Sequence, residues 1–170
     1  MIELKNNRES QLLGTIQGNP GIQFRQIMRQ SGLKNGVLSH YLAKLEKKGL
    51  IKVEREPRQA RYYPPKITEE ESKVIKALRK QTPRDLLLVL VKEDGLEFGQ
   101  LVKETGKSPS TVSFYLSQIV DDDLVDIKIE NLKKKYYLKT RAIIDRLVEQ
   151  YRPSLLESPT SGFEDIFNSL

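Results

Sequence analysis

A chain of 170 residues has room for one ordinary domain or two small ones. It holds no Cys and a single His, which excludes disulfides, thiolate metal sites and thiol catalysis and leaves no spare imidazole for a proton relay. The net charge of +6 permits a nucleic-acid partner, and the excess is concentrated: residues 1–66 carry 13 Lys/Arg against 5 Asp/Glu, residues 81–140 carry 9 against 10.

The chain opens with MIELKNNRES, which lacks the apolar stretch of an export signal. The longest apolar run, Leu86–Val91, is too short to span a bilayer. A cytoplasmic protein without membrane contact is the expectation. Asn6 followed by Glu9 reads as a capping pair for a first helix reaching Gln17, ended by Gly18-Asn19-Pro20-Gly21. A second helix is expected over Gln23–Ser31, stopping at Gly32, and a third over Asn35–Lys48, with Leu38, Tyr41, Leu42 and Leu45 inward. LIKVERE then alternates as a strand, Pro57–Ala60 turns, and RYYPP returns. Thr68 with Glu71 is a capping box for a linker helix over Glu69–Lys80, whose apolar side is Val74, Ile75 and Leu78.

The order then recurs. Thr82-Pro83-Arg84-Asp85 reads as a helix start with Thr82 as N-cap, and the helix breaks at Asp94-Gly95. Glu97–Thr105 is helical up to Gly106, and Ser108-Pro109 starts a helix with Val112, Tyr115, Leu116 and Ile119 on one face. Leu124–Glu130 alternates, Asn131–Lys135 is a polar turn, and Tyr136–Leu138 returns. Thr140 starts a last helix over Arg141–Tyr151, followed by a Ser/Pro/Gly stretch and by Phe163, Ile166, Phe167 and Leu170 at helical spacing, either a docking helix or a frayed end.

Residues 21–66 align with residues 95–140 without a gap at an offset of 74, with 11 identities that include Gly21/Gly95, Gly32/Gly106, Tyr41/Tyr115 and Tyr62/Tyr136. Two copies of one unit are implied. Each is three helices and a two-strand hairpin, with a tight Gly turn before the third helix. The strings IMRQSGLKNGVLSHYLAKLEKKGLIKVERE and LVKETGKSPSTVSFYLSQIVDDDLVDIKIE resemble the core of winged helix-turn-helix regulators of the ArsR and MarR types. Two such units in a chain of this size are similar to the tandem winged-helix regulators common in archaea. The fold expected is mainly α with small β-hairpin wings (α+β). Residues 1–67 form the first winged-helix domain, 68–81 a linker helix, 82–139 the second winged-helix domain, and 140–170 a C-terminal helix and tail.

The resemblance implies a sequence-specific regulator of transcription that acts by occupying double-stranded DNA, with no cofactor and no chemistry of its own. The residues left outside on the third helix of the first copy, Lys34, Asn35, Gly36, Ser39, His40 and Lys44, are small, polar and basic, as a helix entering a major groove requires. Arg55, Arg58 and Arg61 surround the wing turn, where they suit phosphate or minor-groove contact or else protect an edge hairpin. The second copy is ambiguous. Ser108, Ser110, Thr111 and Ser113 and the wing lysines Lys133, Lys134 and Lys135 could meet DNA, yet Asp121, Asp122 and Asp123 would repel it, and Phe114 replaces His40. Ile143, Ile144, Leu147, Val148 and Tyr151 form a stripe on the last helix, which either packs within the chain or makes a homodimer, with Phe114 as a lesser contact. A homodimer would read a near-palindrome; a single chain would read a direct repeat with its two copies. A protein partner could dock through the C-terminal tail. The rival reading is a tandem winged-helix protein–protein adaptor like the kleisin-binding subunit of chromosome condensation complexes, which has no need of so basic a first unit.

Overall fold

The computed structural model describes the backbone of residues 2–156 and the side chains of residues 7–156. The apolar positions expected to dock near the C-terminus, Phe163 to Leu170, lie outside the described residues. The fold is mainly helical, with two winged helix-turn-helix units in tandem. The chain divides into two compact units between Ser72 and Lys73. No described helix is long and apolar enough to cross a membrane.

The first unit runs α1 (Ile2–Gly18), β1 (Ile22–Gln23), α2 (Phe24–Ser31), α3 (Asn35–Lys47), β2 (Lys52–Glu56) and β3 (Gln59–Tyr63). Its core gathers Leu12 and Ile16 of α1, Ile27 of α2, and Leu38, Leu42 and Leu45 of α3, each no more than 2% exposed. α1 starts at Ile2, so Asn6 lies inside the helix and is not its cap. Glu9, its supposed partner, instead binds Lys44 and Lys48, one turn apart on α3, and ties α1 to α3. α2 ends as the sequence implies: Gly32 takes φ +68 and its N–H donates to the Met28 carbonyl. β1 was not foreseen. It turns the hairpin into a three-stranded sheet of order β1-β3-β2, with Ile22 opposite Tyr62 and Gln23 opposite Arg61.

The chain passes from the first unit into the second within α4 (Glu69–Leu78), which begins with the expected reciprocal bonds between Thr68 and Glu71. The second unit continues with α5 (Gln81–Lys92), α6 (Phe98–Thr105), α7 (Pro109–Asp121), β4 (Val125–Glu130), β5 (Lys133–Leu138) and α8 (Arg141–Leu156). α5 starts two residues earlier than expected, with Lys80 at the N-cap, so Thr82 is within the helix. Ser108 caps α7 as expected, its hydroxyl accepting from the Thr111 N–H, with Pro109 in the first turn. The polar turn is shorter than read: only Asn131 and Leu132 turn, at φ 51 and 64, the positive pair that a type I′ hairpin needs. Lys133, Lys134 and Lys135 are therefore strand residues.

α8 overturns one expectation. Ile144, Leu147, Val148 and Tyr151 are between 1 and 7% exposed within the chain itself, and Ile143 is half-buried. The stripe read as a dimer contact is core of the second unit. α5 is the reason: Leu86, Leu87, Leu88 and Leu90 are all buried, so this stretch of the helix is apolar all round and needs cover on more than one side. Arg141 fastens α8 to the end of α5, donating to the carbonyls of Val91 at 2.9 Å and Leu90 at 3.1 Å. α8 also runs past Tyr151. It kinks there (φ −124, ψ 23), two residues ahead of Pro153, and goes on to bury Leu155 and Leu156.

The repeat is visible in the hydrogen bonds. Val53 pairs with Tyr62 in the first hairpin and Ile127 with Tyr136 in the second, each at the offset of 74. Gly21 N–H donates to the Tyr62 carbonyl and Gly95 N–H to that of Tyr136. Gln26 and Gln100 each reach back to the backbone N–H three residues earlier, at the start of α2 and of α6. In the second unit β1 is reduced to a single bridge, Leu96 to Tyr136.

Candidate nucleic-acid interface

With Leu38, Tyr41, Leu42 and Leu45 buried, α3 presents Gly36, Ser39, His40, Ala43 and Lys47 on its solvent side. Lys34 precedes the helix and Asn35 opens it, both exposed. Ser39 Oγ donates to Asn35 Oδ1 at 3.2 Å, so these two polar groups share one edge of the helix. The small residues Gly36, Ser39 and Ala43 let a flat surface come close to the backbone of α3.

Lys44 departs from the expected role. Its ammonium binds the Glu9 carboxylate of α1. The two lysine partners, Lys44 first, hold the Glu9 carboxyl below its ordinary range, and Glu9 raises Lys44 in return. Lys47 is the cation that the sequence reading missed on this face. It stands seven residues beyond His40, and two helical turns return it to the same stripe, so the 3.6-residue period carries the signal.

The wing arginines take three different roles. Arg58 is exposed in the turn between β2 and β3. Arg55 makes a two-pronged pair with Glu46 of α3, at 2.9 and 2.6 Å, which braces the wing against the helix. That guanidinium holds the Glu46 carboxyl low. Arg61 contradicts the sequence reading. It is 5% exposed and donates to the Gly21 carbonyl at 2.8 Å, beside the strand pairing of Gln23 with Arg61. Burial lowers its pKa. It is an internal strut between β3 and the Gly21 turn and has no surface to offer a phosphate.

The second unit places Ser108, Ser110 and Thr111 together at the start of α7. The Ser108 hydroxyl lies 2.8 Å from that of Thr111 and 3.2 Å from that of Ser110. These hydroxyls satisfy one another at the cap. Ser113 is exposed further along α7, on the side of the hairpin, and Phe114 is 59% exposed beside it. On the wing, Lys133 pairs with Glu97 and Lys135 with Glu130, while Lys134 is exposed.

Residues 5–52 match the winged helix-turn-helix DNA-binding family, and residues 81–126 match the bacterial regulatory protein family arsR. Three solved structures are similar to parts of the chain. A predicted DNA-binding transcriptional regulator from E. coli is 25% identical over 48% of this chain and 85% of its own, with a TM-score of 0.43. HlyU from Vibrio cholerae is 24% identical over 49% and 92%, with a TM-score of 0.42. A MarR-family transcriptional regulator from Silicibacter pomeroyi is 22% identical over 77% and 83%, with a TM-score of 0.41. None of these matches supports the archaeal part of the resemblance. No curated protein matches the chain significantly. The protein thus carries two winged helix-turn-helix units in tandem, the first similar to the winged helix-turn-helix DNA-binding family and the second to the arsR family of bacterial regulatory proteins.

Proposed function

We propose that the protein is a sequence-specific, double-stranded-DNA-binding regulator of transcription that acts by occupying its operator, with the first unit as its reader. The observation that carries this is the solvent face of α3: small side chains in the middle, Asn35 and Lys34 at one end, Lys47 at the other, no acid among them, and Arg58 on the wing. A helix of that section fits a major groove about 12 Å wide, where Asn pairs with adenine and Lys reaches guanine or phosphate. Arg58 on a hairpin tip suits phosphate or minor-groove contact. Arg61 is withdrawn from this set, Lys44 and Arg55 serve as braces, and Lys47 joins it.

Binding to a duplex, followed by fluorescence anisotropy across a salt series, tests the reading. Each phosphate neutralised adds about 0.9 to the slope of log K against log salt. Lys47→Glu with Arg58→Glu lowers affinity for every sequence and flattens that slope by about 2. Asn35→Ala acts differently, costing about 1–3 kcal/mol at one base pair. Unchanged affinity in the double variant removes α3 and the wing as the DNA surface. A uniform loss over random sequences for Asn35→Ala moves that residue to the phosphates.

A further inference from the structure

Among the described residues, four of the six exposed large apolar side chains belong to α7 and the hairpin of the second unit: Phe114 on α7 at 59%, Ile127 at 39% and Ile129 at 72% on β4, and Leu132 in the turn at 99%. At the offset of 74 the first unit has His40, Val53, Arg55 and Arg58. Leu132 is costly twice over. Its side chain is wholly in water, and its φ of 64 is one that a residue with a Cβ adopts reluctantly. Between α7 and the hairpin lies a groove of about 210 Å³, floored by Ser113, Leu116, Ser117, Val120 and Ile127. Where Glu46 and Arg55 pair across the corresponding seam in the first unit, the second has Val120 and Ile129, which cannot pair, and the seam stays open.

Charge identifies what covers this face. Asp121 and Asp122 end α7 at the base of the hairpin, where the first unit has Lys47 and Lys48. Lys134 lies near the tip, directly across from Ile129. The face is thus apolar in its middle, acidic at one end and basic at the other. A two-fold axis through the middle sets the acidic end of one copy on the basic end of the next, and makes one patch complementary to itself. DNA is a poor occupant, because the aspartates would stand against phosphates. We infer that the α7–hairpin face of the second unit is the surface through which two copies of this chain pair, Phe114, Ile129 and Leu132 forming the shared apolar centre and Asp121 meeting Lys134 of the other copy.

Light scattering and sedimentation of the full chain without DNA, from about 1 to 100 µM, test this. The unaltered chain gives a concentration-dependent dimer. Ile129→Arg with Leu132→Arg installs the residues that the first unit carries there, and raises the dimer Kd at least tenfold. Circular dichroism and the melting curve stay unchanged, because both side chains are exposed. Asp121→Lys and Lys134→Glu each weaken the dimer, and the two together restore it to within about threefold. A full chain that stays monomeric to 100 µM overturns the inference, as does a dimer indifferent to the arginine pair, or a double charge swap no better than either single. Loss of duplex binding with intact dimers in the arginine variant also overturns it and makes the face a DNA reader. Failure of duplex binding in the unaltered chain bears on the first unit alone and leaves the pairing measurable.

Discussion

The two units share a hydrogen-bonding frame and differ where that frame meets solvent. The start of α2 matches the start of α6, the left-handed glycines 32 and 106 match, and the hairpins keep one register. At the outer positions of the same frame, His40 becomes Phe114, Glu46 becomes Val120, Lys47 becomes Asp121, Arg55 becomes Ile129 and Arg58 becomes Leu132. The substitutions run in one direction, from polar or basic to apolar or acidic. A duplicated fold keeps the residues that hold its backbone and is free to change the residues that choose its partner. The most informative variants therefore act on one copy and have a counterpart in the other.

The largest effect belongs to Gly95. It sits at φ 71, and a Cβ built there would stand 2.8 Å from the Tyr137 hydroxyl oxygen and 2.9 Å from its ring. Tyr137 is not free to swing away. Its hydroxyl donates to Glu130 at 2.7 Å, and the Lys128 ammonium lies 4.7 Å from its ring centre. Gly95→Ala therefore adds backbone strain to a steric conflict, and costs the second unit about 2–3 kcal/mol by urea denaturation. Gly106→Ala shares only the backbone term, since its φ is 64 and nothing lies within 4 Å of its Cβ. Equal losses in the two variants would show that Tyr137 gives way.

Arg61 and Arg58 form the next contrast, two arginines of one wing with opposite duties. Arg61→Ala removes a buried, charge-assisted bond to the Gly21 carbonyl and lowers stability by about 1.5–3 kcal/mol. Arg58→Ala changes stability by no more than about 0.5 kcal/mol, since the side chain is exposed, and its effect falls on DNA affinity. The reverse outcome, a stable Arg61→Ala with weakened DNA binding, would return Arg61 to the surface.

Arg61 also shows where the sequence stops being legible. The helices, the hairpins, the repeat and the caps at Ser108 and Thr68 follow from the residues themselves: Gly at the helix ends, Ser108 before Pro109, alternation in LVDIKIE. The burial of Arg61 depends on β1, two residues long, which covers β3 from the side that a hairpin leaves open. A strand of Ile22 and Gln23 has no period to read. The dimer stripe on α8 fails for a related reason. A single amphipathic helix does not say whether its partner is another copy or a neighbour in the same chain. The signal was in α5, whose LLLVLV run is apolar on every side and had to be covered from somewhere. On α3 and the wing, the sequence located the face but not its division of labour, because Lys44 and Arg55 are claimed by acids on other elements, Glu9 of α1 and Glu46 of α3.

Those acids give a dependence on pH. In the folded chain Glu9 is held below its ordinary 4.5 by hydrogen bonds from Lys44 and then Lys48, and Glu46 by its bond from Arg55. A carboxyl whose folded value is depressed stabilises the fold above the unfolded value, and that contribution is lost as pH falls through the folded one. The braces of the first unit therefore weaken as pH drops below about 4.5. The second unit has Pro83 and Val120 at these positions and lacks both braces. Glu46→Gln narrows the gap between urea midpoints at pH 7 and pH 3, and Val120→Gln leaves it unchanged. An unaltered gap in Glu46→Gln would show that its pairing contributes nothing to the fold, as many exposed pairs do not.

The smallest effect tests the frame itself. α3 and α7 end in the same way: Gly49 N–H donates to the Glu46 carbonyl and Leu50 N–H to that of Leu45, while Asp123 and Leu124 donate to Val120 and Ile119. The residue at the turn is left-handed in both, φ 70 at Gly49 and 63 at Asp123. Glycine bears no penalty there, whereas a residue with a Cβ costs about 1–2 kcal/mol, less for Asp, whose short polar side chain tolerates the region. Asp123 recovers little through Lys139, because both side chains are well exposed, at 76 and 41%. Asp123→Gly therefore stabilises the second unit by about 0.5–1 kcal/mol. Gly49→Asp costs the first unit a similar amount, with no steric term, since nothing lies within 4 Å of its Cβ. The two variants also separate stability from recognition. Gly49→Asp places a negative charge beside Lys47 and lowers duplex affinity as well, whereas Asp123→Gly leaves duplex affinity unchanged. A loss of duplex affinity in Asp123→Gly would put α7 on the DNA and make the two faces alike in function.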